Sequence, residues 1–150
     1  MPRLIRGNQA AGTIKPVFGA HTYLDSVTDT NTSFENMKWS TITVDNYSAF
    51  DSTNCYYVVP VSGIYEVINN VNLRGFVAAW TGVYITHNTS QVAQGWQRDQ
   101  SYYDYNATAV RAIIECDVGD LIKWQWHNGY TEPSTASAYN QASAQLIEFS

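Results

Sequence analysis

Apolar and polar residues alternate with a period of two over several short stretches of the chain. In the segment Ile64–Val71 one set of alternate residues is Ile64, Glu66, Ile68 and Asn70, and the other is Tyr65, Val67, Asn69 and Val71. The segment Ala109–Cys116 alternates in the same way. Because successive side chains of an extended strand point to opposite faces, this period predicts strands. No stretch repeats apolar residues at helical spacing over more than two turns.

Turn-forming residues divide the alternating stretches into short strands. Gly, Asn, Asp, Ser and Thr are concentrated between them, as in segments that reverse the chain. The predicted strands are Val17–Tyr23, Trp39–Val44, Cys55–Val59, Ile64–Leu73, Trp80–Thr86, Ser90–Gln94, Thr108–Cys116, Leu121–Trp126 and Ser137–Phe149. We therefore expect an all-β, antiparallel two-sheet jelly-roll sandwich of about ten strands.

The segment Phe50–Tyr65 holds the most specific pattern in the chain. An aromatic–acidic pair leads into an aromatic and β-branched run that ends at Pro60, which cannot donate to a sheet ladder. Gly63 then allows the reversal from which the next strand starts. This arrangement resembles the signature of the complement C1q globular head, a branch of the tumour-necrosis-factor-like jelly rolls.

Three further segments resemble that family in the correct order. Val83–Asn88 is similar to a central strand that ends in an Asn turn, although Thr89 stands where the family usually has Gly. Ile113–Ile122 is similar to two long strands joined by a Gly-Asp turn, and Ser143–Phe149 is similar to the closing strand. The resemblance implies a homotrimeric binding or packing module that is not an enzyme.

The composition also favours burial of surface between subunits. The 150 residues suffice for one domain. Charged residues make up 14% of the chain, against roughly 25% in typical soluble domains, and aromatic residues also reach 14%. Since so few charged residues are available to cover a monomer, we expect part of the surface to be buried in a homotrimer.

Net charge and hydropathy exclude two classes of partner. The formal net charge is −5, and the body of the chain has no cluster of Lys and Arg that could neutralise phosphate groups. We therefore expect no nucleic acid partner. No apolar run is long enough to span a bilayer, and the N-terminus lacks the apolar core of a signal peptide. We expect neither membrane insertion nor export.

Residues 1–16 are predicted to form an N-terminal arm, followed by the jelly-roll domain in residues 17–150. Three of the eight basic residues fall in this arm. Because ordering such a segment costs backbone entropy, we expect it to dock on a partner through apolar anchors and charge pairs. The candidate partner-binding residues are Arg3, Leu4, Ile5, Arg6 and Lys15.

The predicted loop Gly95–Ala107 departs most from the family pattern and holds a candidate ligand site. Its candidate residues are Asp99, Tyr102, Tyr103, Asp104 and Tyr105. Tyr side chains offer large amphipathic contact area for protein or glycan. The carboxylates could hold calcium, which some family members bind, although their spacing matches no calcium loop. The alternatives are a solvated acidic loop and a loop packed against its own domain or a trimer neighbour.

The residues that usually build catalytic or metal sites lack the required spacing. His21, His87 and His127 are the three histidines, and none has a second His or Cys at ligand spacing. No hydrolase or phosphate-binding motif occurs. Cys55 and Cys116 are expected to be free and buried, with a bridge between them as the alternative. We expect no enzymatic activity, no metal and no other cofactor.

Aromatic residues at strand positions are the candidate trimer interface or core. Trp124 and Trp126 share one face of a predicted strand, while Tyr65 and Phe149 fall on two other strands. The resemblance implies that aromatic residues of the inner sheet line a trimer axis. The alternative is a sugar-stacking platform that the two indoles would form with Trp39, Trp80 and Trp96.

These features together predict a non-enzymatic surface protein of a bacteriophage virion, first of all a capsid decoration or cement protein. The sequence has neither a collagen-like Gly-X-Y repeat nor coiled-coil heptads. It shows no export signal, as expected for assembly in the host cytoplasm. Its basic arm would attach to an acidic lattice, with the major capsid protein as partner. The alternatives are a receptor-binding knob of a tail fibre and a free C1q-like lectin.

Overall fold

A computed structural model describes residues 14–23, 34–75, 80–98, 105–127, 131–133 and 140–149. Within these ranges the chain forms twelve strands. They are β1 (Val17–Tyr23), β2 (Glu35–Asn36), β3 (Trp39–Asp45), β4 (Phe50–Asp51), β5 (Tyr56–Val58), β6 (Gly63–Gly75), β7 (Trp80–His87), β8 (Ser90–Arg98), β9 (Tyr105–Cys116), β10 (Leu121–His127), β11 (Thr131–Pro133) and β12 (Gln141–Phe149). The described residues contain no helix with the length and apolar character needed to cross a membrane.

Two antiparallel sheets build the domain, as the sequence predicts. In sheet A, β6 pairs with β9 along one edge and with β12 and then β11 along the other. The order across sheet A is β9-β6-β12-β1-β3, with β11 beside the end of β6. Sheet B has the order β4-β5-β10-β7-β8, and β2 pairs with β10 beyond β5. The two-sheet jelly-roll prediction is confirmed.

Burial in sheet A follows the period-two alternation of the sequence. On β6 the side chains of Tyr65, Val67, Asn69 and Val71 are buried. On β9 the buried set continues with Val110, Ala112, Ile114 and Cys116. The residues between them lie at least partly open to solvent. Both strands therefore turn one face toward the core and leave the other available.

The predicted loop Gly95–Ala107 is wrong at both ends. β8 continues to Arg98 because its backbone stays paired with β7 as far as Trp80. β9 already begins at Tyr105, which is paired with Arg74. Long-range strand pairing extends both strands into a segment whose Tyr, Asp and Gln content indicated a loop.

The other differences between the predicted and the observed strands concern mainly short strands. β12 begins at Gln141 rather than Ser137, and residues 137–139 lie outside the described ranges. The unpredicted strands β2, β4 and β11 contain only two or three residues each. A period of two cannot be recognised in so few residues.

Large aromatic side chains fill the space between the two sheets. The ring centroid of Phe18 on β1 lies 4.9 Å from that of Phe50, 5.4 Å from Tyr57 and 5.0 Å from Trp124. Phe18, Tyr57 and Trp124 are fully buried. Because each such ring removes a large apolar area from water, this cluster supplies much of the hydrophobic stabilisation of the domain.

Two buried polar groups join sheet A to sheet B across this core. Trp124 Nε1 on β10 donates a hydrogen bond to the Ile68 carbonyl on β6 over 2.8 Å. Asn69 Nδ2 on β6 donates to the Tyr84 carbonyl on β7 over 3.0 Å. Since an unpaired buried polar group is costly, these two bonds favour one relative position of the sheets.

Residues 14–16 are attached to the domain and not separate from it. Tyr47 Oη donates to the Ile14 carbonyl over 2.8 Å, and Asn46 Nδ2 donates to the Lys15 carbonyl over 2.8 Å. The Leu146 amide donates to the Pro16 carbonyl over 3.0 Å. The end of the predicted arm therefore packs on the β3–β4 turn and on β12.

Replacement of Gly63 by Ala is expected to destabilise the fold. Gly63 opens β6 between Phe149 and Cys116 and has a φ of +154°. A Cβ there would overlap the Glu148 carbonyl oxygen, which is fixed in the backbone. We expect Gly63→Ala to lower the free energy of unfolding by about 2–5 kcal/mol, measured by urea denaturation.

The control for that experiment is Gly119→Ala. Gly119 also has a positive φ, +92°, but no atom lies within 4 Å of a Cβ built on it. The Gly119→Ala variant therefore tests backbone strain without steric overlap, and we expect its free energy of unfolding to fall by about 1–2 kcal/mol. Equal denaturation midpoints for Gly63→Ala and the unchanged protein would contradict the close packing of β6 against β12.

Candidate functional site

The outward residues of β9, β6, β12 and β1 form a surface of mixed character, which we call the sheet A face. Glu66 and Ile68 of β6 lie beside Ile113 and Arg111 of β9, and Ile68 also lies beside Ser143 of β12. Arg111 Nε forms an ion pair with Glu66 Oε1. Ile113 is 54% exposed. An exposed isoleucine next to small and paired polar groups can be buried against another protein surface.

A shallow depression of about 250 Å³ lies within the sheet A face. Its lining includes Gly19 of β1, Ile68 and Ser143. A Cβ on Gly19 would come within 3.0 Å of Thr43 Oγ1 and 3.1 Å of Val44 Cγ1, so a larger residue fits poorly. The small residues allow another chain to approach the sheet backbone closely.

Four aromatic rings gather around Gly82 on the outer face of sheet B. Gly82 pairs with Trp96 on one side and with His127 on the other. A Cβ on Gly82 would overlap the Tyr84 hydroxyl, so the glycine leaves room for the Tyr84 ring. Phe34 packs edge-on against Tyr84 at a centroid distance of 4.8 Å, and Trp96 does so at 5.5 Å. We call Phe34, Tyr84, Trp96 and His127 the aromatic cluster.

Tyr84 is the buried centre of the aromatic cluster. Its side chain is fully enclosed, and its hydroxyl has no hydrogen-bond partner in the described part of the chain. Burial raises the pKa of Tyr84 to about 12, so the phenol is neutral at physiological pH. Phe34 and Trp96, by contrast, are 53% and 47% exposed. The cluster thus presents open aromatic rings on a rigid base.

A groove of about 370 Å³, which we call the outer groove, opens beside the aromatic cluster. Its size lies in the lower part of the range of small-molecule sites, roughly 300–1,000 Å³. Its lining includes Phe34, Tyr84, Thr86, Gln91, Lys123 and Gln125. None of the described residues lining it is acidic. One end is aromatic and the other offers amide, hydroxyl and ammonium groups.

Hydrogen bonds hold the polar side chains of the outer groove in place. Thr86 Oγ1 donates to Gln125 Oε1 over 2.5 Å, and Gln125 Nε2 donates to Asn36 Oδ1 over 2.9 Å. Lys123 Nζ donates to the Asn88 carbonyl over 3.2 Å, which leaves two of its protons for other acceptors. The groove is therefore prearranged and requires little side-chain ordering to receive a ligand.

The turns that close this end of the domain are joined by a network centred on Asp120. Its Oδ2 accepts from the Asp117 amide over 2.9 Å and lies 2.7 Å from His87 Nε2. Its Oδ1 accepts from Asn88 Nδ2 over 2.9 Å. These hydrogen bonds, with that from Asn88 the largest cause, lower the pKa of Asp120 to about 2. Asn88 adopts a φ of +53°, which its short polar side chain tolerates.

The same network places His87, Asp120 and Cys116 close enough to suggest a metal site. One potential ligand atom of each lies within 4.8 Å of the others. Burial raises the pKa of the Cys116 thiol to about 12, so without a metal ion the sulfur is protonated. Both Asp120 oxygens already accept hydrogen bonds. The donor set fits a turn support better than a metal centre.

The aromatic residues predicted for the trimer interface or the core are located mainly in the core. Tyr65, Trp124 and Trp126 are buried between the two sheets. Phe149 is half-buried and packs against that core. Because the two indoles point inward, they cannot form the sugar-stacking platform that was the alternative interpretation.

The predicted arm and loop residues are only partly described. Arg3, Leu4, Ile5 and Arg6 lie outside the described residues, as do Asp99, Tyr102, Tyr103 and Asp104. Tyr105 belongs to β9 and not to a loop. Lys15 Nζ donates to the Ile147 carbonyl over 2.6 Å and lies 5.7 Å from the Phe149 ring centroid. Lys15 is therefore engaged by the jelly-roll domain of its own chain. Cys55 and Cys116 are free and buried, as expected.

Sequence reasoning missed the outer groove. The outward direction of Lys123 and Gln125 could have been inferred, since both alternate with the buried Trp124 and Trp126. The direction of the Tyr84 side chain could not be inferred in this way. Residues 82–86 of β7 are all buried, so apolar and polar residues do not alternate along this part of the strand. The approach of Phe34 to this strand is a tertiary contact.

Replacement of Asp120 by Asn is expected to lower thermal stability in a pH-dependent manner. The pKa of Asp120 is about 2 in the folded protein, below its ordinary value of 3.8. Its stabilising contribution is therefore fully present above about pH 4 and is lost as the pH falls toward 2. We expect the difference in melting temperature between Asp120→Asn and the unchanged protein to shrink over that interval, measured by calorimetry.

Asp117→Asn is the control, because it retains the backbone hydrogen bonds of the same turn. We expect it to change the melting temperature little at any of these pH values. A constant difference between Asp120→Asn and the unchanged protein from pH 7 to pH 2 would contradict the role of the carboxylate.

No family model and no curated protein matches the sequence. Solved structures, however, share its fold. The crystal structure of murine APRIL at pH 5.0 superposes with a TM-score of 0.70 and 12% identity, over 89% of this chain and 100% of that chain. The structure of murine APRIL at pH 8.0 gives a TM-score of 0.70, 10% identity and the same coverage.

These likenesses bear on the fold predicted from the sequence. APRIL is a tumour-necrosis-factor-family protein with a jelly-roll fold. Identities this low establish shared architecture alone, and they support neither the C1q branch nor a phage origin. The chain has the tumour-necrosis-factor-like jelly-roll fold.

Proposed function

We propose that this protein is a non-enzymatic homotrimeric surface protein of a bacteriophage virion, assembled through the sheet A face. The observation that carries the proposal is the sheet A face itself, a partly apolar surface that spans four neighbouring strands. Its exposed isoleucines include Ile113 on β9 and Ile147 on β12. Burial of these side chains between subunits would supply the hydrophobic driving force for association.

The chemistry of the sheet A face suits a symmetric assembly. Small residues such as Gly19 and Ser143 allow close approach, and the Glu66–Arg111 pair already neutralises the two charges nearest to Ile68. Charges that are paired within a subunit cost less to bury than isolated ones. Closed cyclic symmetry would bury the same face of every copy. The low charged fraction of the sequence also supports buried surface.

The proposal also specifies how the trimer attaches to a virion. The expected partner is another virion protein such as the major capsid protein, contacted by the arm. Since Lys15 is bound within its own subunit, the tether would lie in residues 1–13 with Arg3 and Arg6 as its cations. Exposed pairs between these cations and acidic groups would weaken at high salt.

The second candidate function is recognition of a host surface, as in a receptor-binding knob or a lectin. The outer groove favours it, because a purely structural cement protein has no need of a prearranged amphipathic groove. In a trimer assembled through sheet A, the three copies of sheet B would face outward. Both candidates therefore share the same assembly and differ in what the outer face does.

The assembly is tested by placing a charge in the sheet A face. Light scattering of the unchanged protein at micromolar concentration is expected to give three times the 16.8 kDa chain mass. Ile113→Asp should give soluble monomer, because an unpaired charge in the interface costs several kcal/mol per copy. Val118→Asp is the control, since Val118 is 65% exposed on the β9–β10 turn and should leave the trimer intact. A monomeric unchanged protein, or a trimeric Ile113→Asp variant, would overturn the assembly.

The arm is tested by deleting residues 1–12. The trimer should keep its melting temperature within a few degrees, because residues 14–16 retain their contacts with the β3–β4 turn and β12. Co-sedimentation with undecorated capsids should fall to background, and salt should weaken binding of the full chain. Full decoration of capsids by the truncated protein would refute the tether.

A further inference from the structure

We propose that the outer groove is a saccharide-binding site, in which a pyranose ring packs on Phe34 and its hydroxyl groups bind the polar side chains opposite. The inference goes beyond the assembly proposed above and relies on it only for the number of grooves per particle. It assigns a ligand class to a region that sequence reasoning did not single out.

The aromatic end of the groove suits the apolar face of a sugar ring. Phe34 lines the groove and is half exposed, so its ring can be covered by a ligand. It is held edge-on by Tyr84 and lies 5.0 Å from the His127 ring centroid. A ring fixed by neighbours loses little conformational entropy on binding, and this raises the affinity that a small contact can provide.

The polar end of the groove suits hydroxyl groups. Gln125 and Thr86 are joined to each other, and Gln91 Nε2 is oriented by Gln94 Oε1 over 2.8 Å. Amide groups offer donors and acceptors together, which matches a hydroxyl that both donates and accepts. The remaining donors of Lys123 add a positive charge to the polar lining of the same groove.

Charge distinguishes a saccharide from other small ligands. Among the described residues that line the groove, Lys123 is the one cation and none is a carboxylate, within a chain of net charge −5. One ammonium group is too little for a nucleotide, whose several phosphate charges require clustered cations or a backbone cradle. The mixture of polar groups around one exposed ring does not suit a purely apolar ligand. Neutral sugars and sugars bearing one carboxylate both fit, with the carboxylate at Lys123.

The location of the groove adds multivalency. It lies on the outer face of sheet B, on the opposite side of the core from the sheet A face. A trimer would carry three grooves, one on each outward face of sheet B. Saccharide chains long enough to reach around the particle would engage more than one groove, and attachment would then be stronger than that of a single site.

The test measures binding of saccharides to the full-length protein. An array of neutral and sialylated oligosaccharides identifies ligands, and saturation-transfer NMR with lactose and sialyllactose compares neutral with acidic sugar directly. Phe34→Ala is expected to weaken the affinity for the bound sugar about tenfold, and Gln91→Ala about three- to tenfold. Val118→Ala, an exposed apolar truncation at the β9–β10 turn, should leave affinity unchanged.

Each outcome has a defined meaning. The proposal is supported if saccharide affinity falls in both Phe34→Ala and Gln91→Ala and is unchanged in Val118→Ala. If the protein prefers sialyllactose and this preference disappears in Lys123→Met, the carboxylate of the sugar binds at Lys123. Absence of binding to every saccharide on the array overturns the proposal, as does binding that both groove variants retain with unchanged circular dichroism. Light scattering on the same samples separates the two proposals, since a monomer that binds sugar refutes only the assembly, and a trimer that binds none refutes only the site.

Discussion

The contact between the two sheets determines where every other feature of this molecule lies. Buried rings of Phe18, Tyr57 and Trp124 pack together there, and the Trp124 indole donates to the Ile68 carbonyl in the opposite sheet. Asn69 adds a second polar bond across the same space. Aromatic packing alone tolerates sliding of one sheet over the other, whereas directed bonds in a dry interior do not. The inter-sheet core therefore fixes which residue of each strand faces outward.

That arrangement separates two outer faces with different chemistry. The sheet A face carries small residues and exposed aliphatic side chains, among them Ile113 on β9. The outer face of sheet B instead carries the aromatic cluster and a groove with amide, hydroxyl and ammonium groups. Partly apolar surfaces favour association with a copy of the same chain, and grooves favour small ligands. One domain thus has a face for assembly and a face for recognition.

The chain contains few charged residues, and one of them, Asp120, stabilises two turns through a network of hydrogen bonds. Asp120 bonds His87, Asn88 and the Asp117 amide, and so joins the turn after β7 to the turn after β9. The carboxylate remains ionised because its partners are all donors. Such a network supports the turns that border the outer groove. One potential ligand atom each of His87, Asp120 and Cys116 lies within 4.8 Å of the others, but both Asp120 oxygens already accept hydrogen bonds in the turn.

The sequence by itself determined the strand content, the two-sheet class and the division of β6 and β9 into two opposite faces, because a period of two is a local property of extended backbone. It also predicted the chain reversals at Gly63 and at Gly119–Asp120, where the backbone has a positive φ that favours glycine. Only the tertiary structure decided the direction of Tyr84, since β7 is buried on both faces and its sequence does not alternate. The ends of β8 and β9, and the approach of Phe34 to β7, were likewise decided by pairing and packing between residues distant in the chain. Long-range contacts of this kind leave no periodic signal in the sequence. The sequence therefore predicted the two sheets, and only the structure located the groove on the outer face of sheet B.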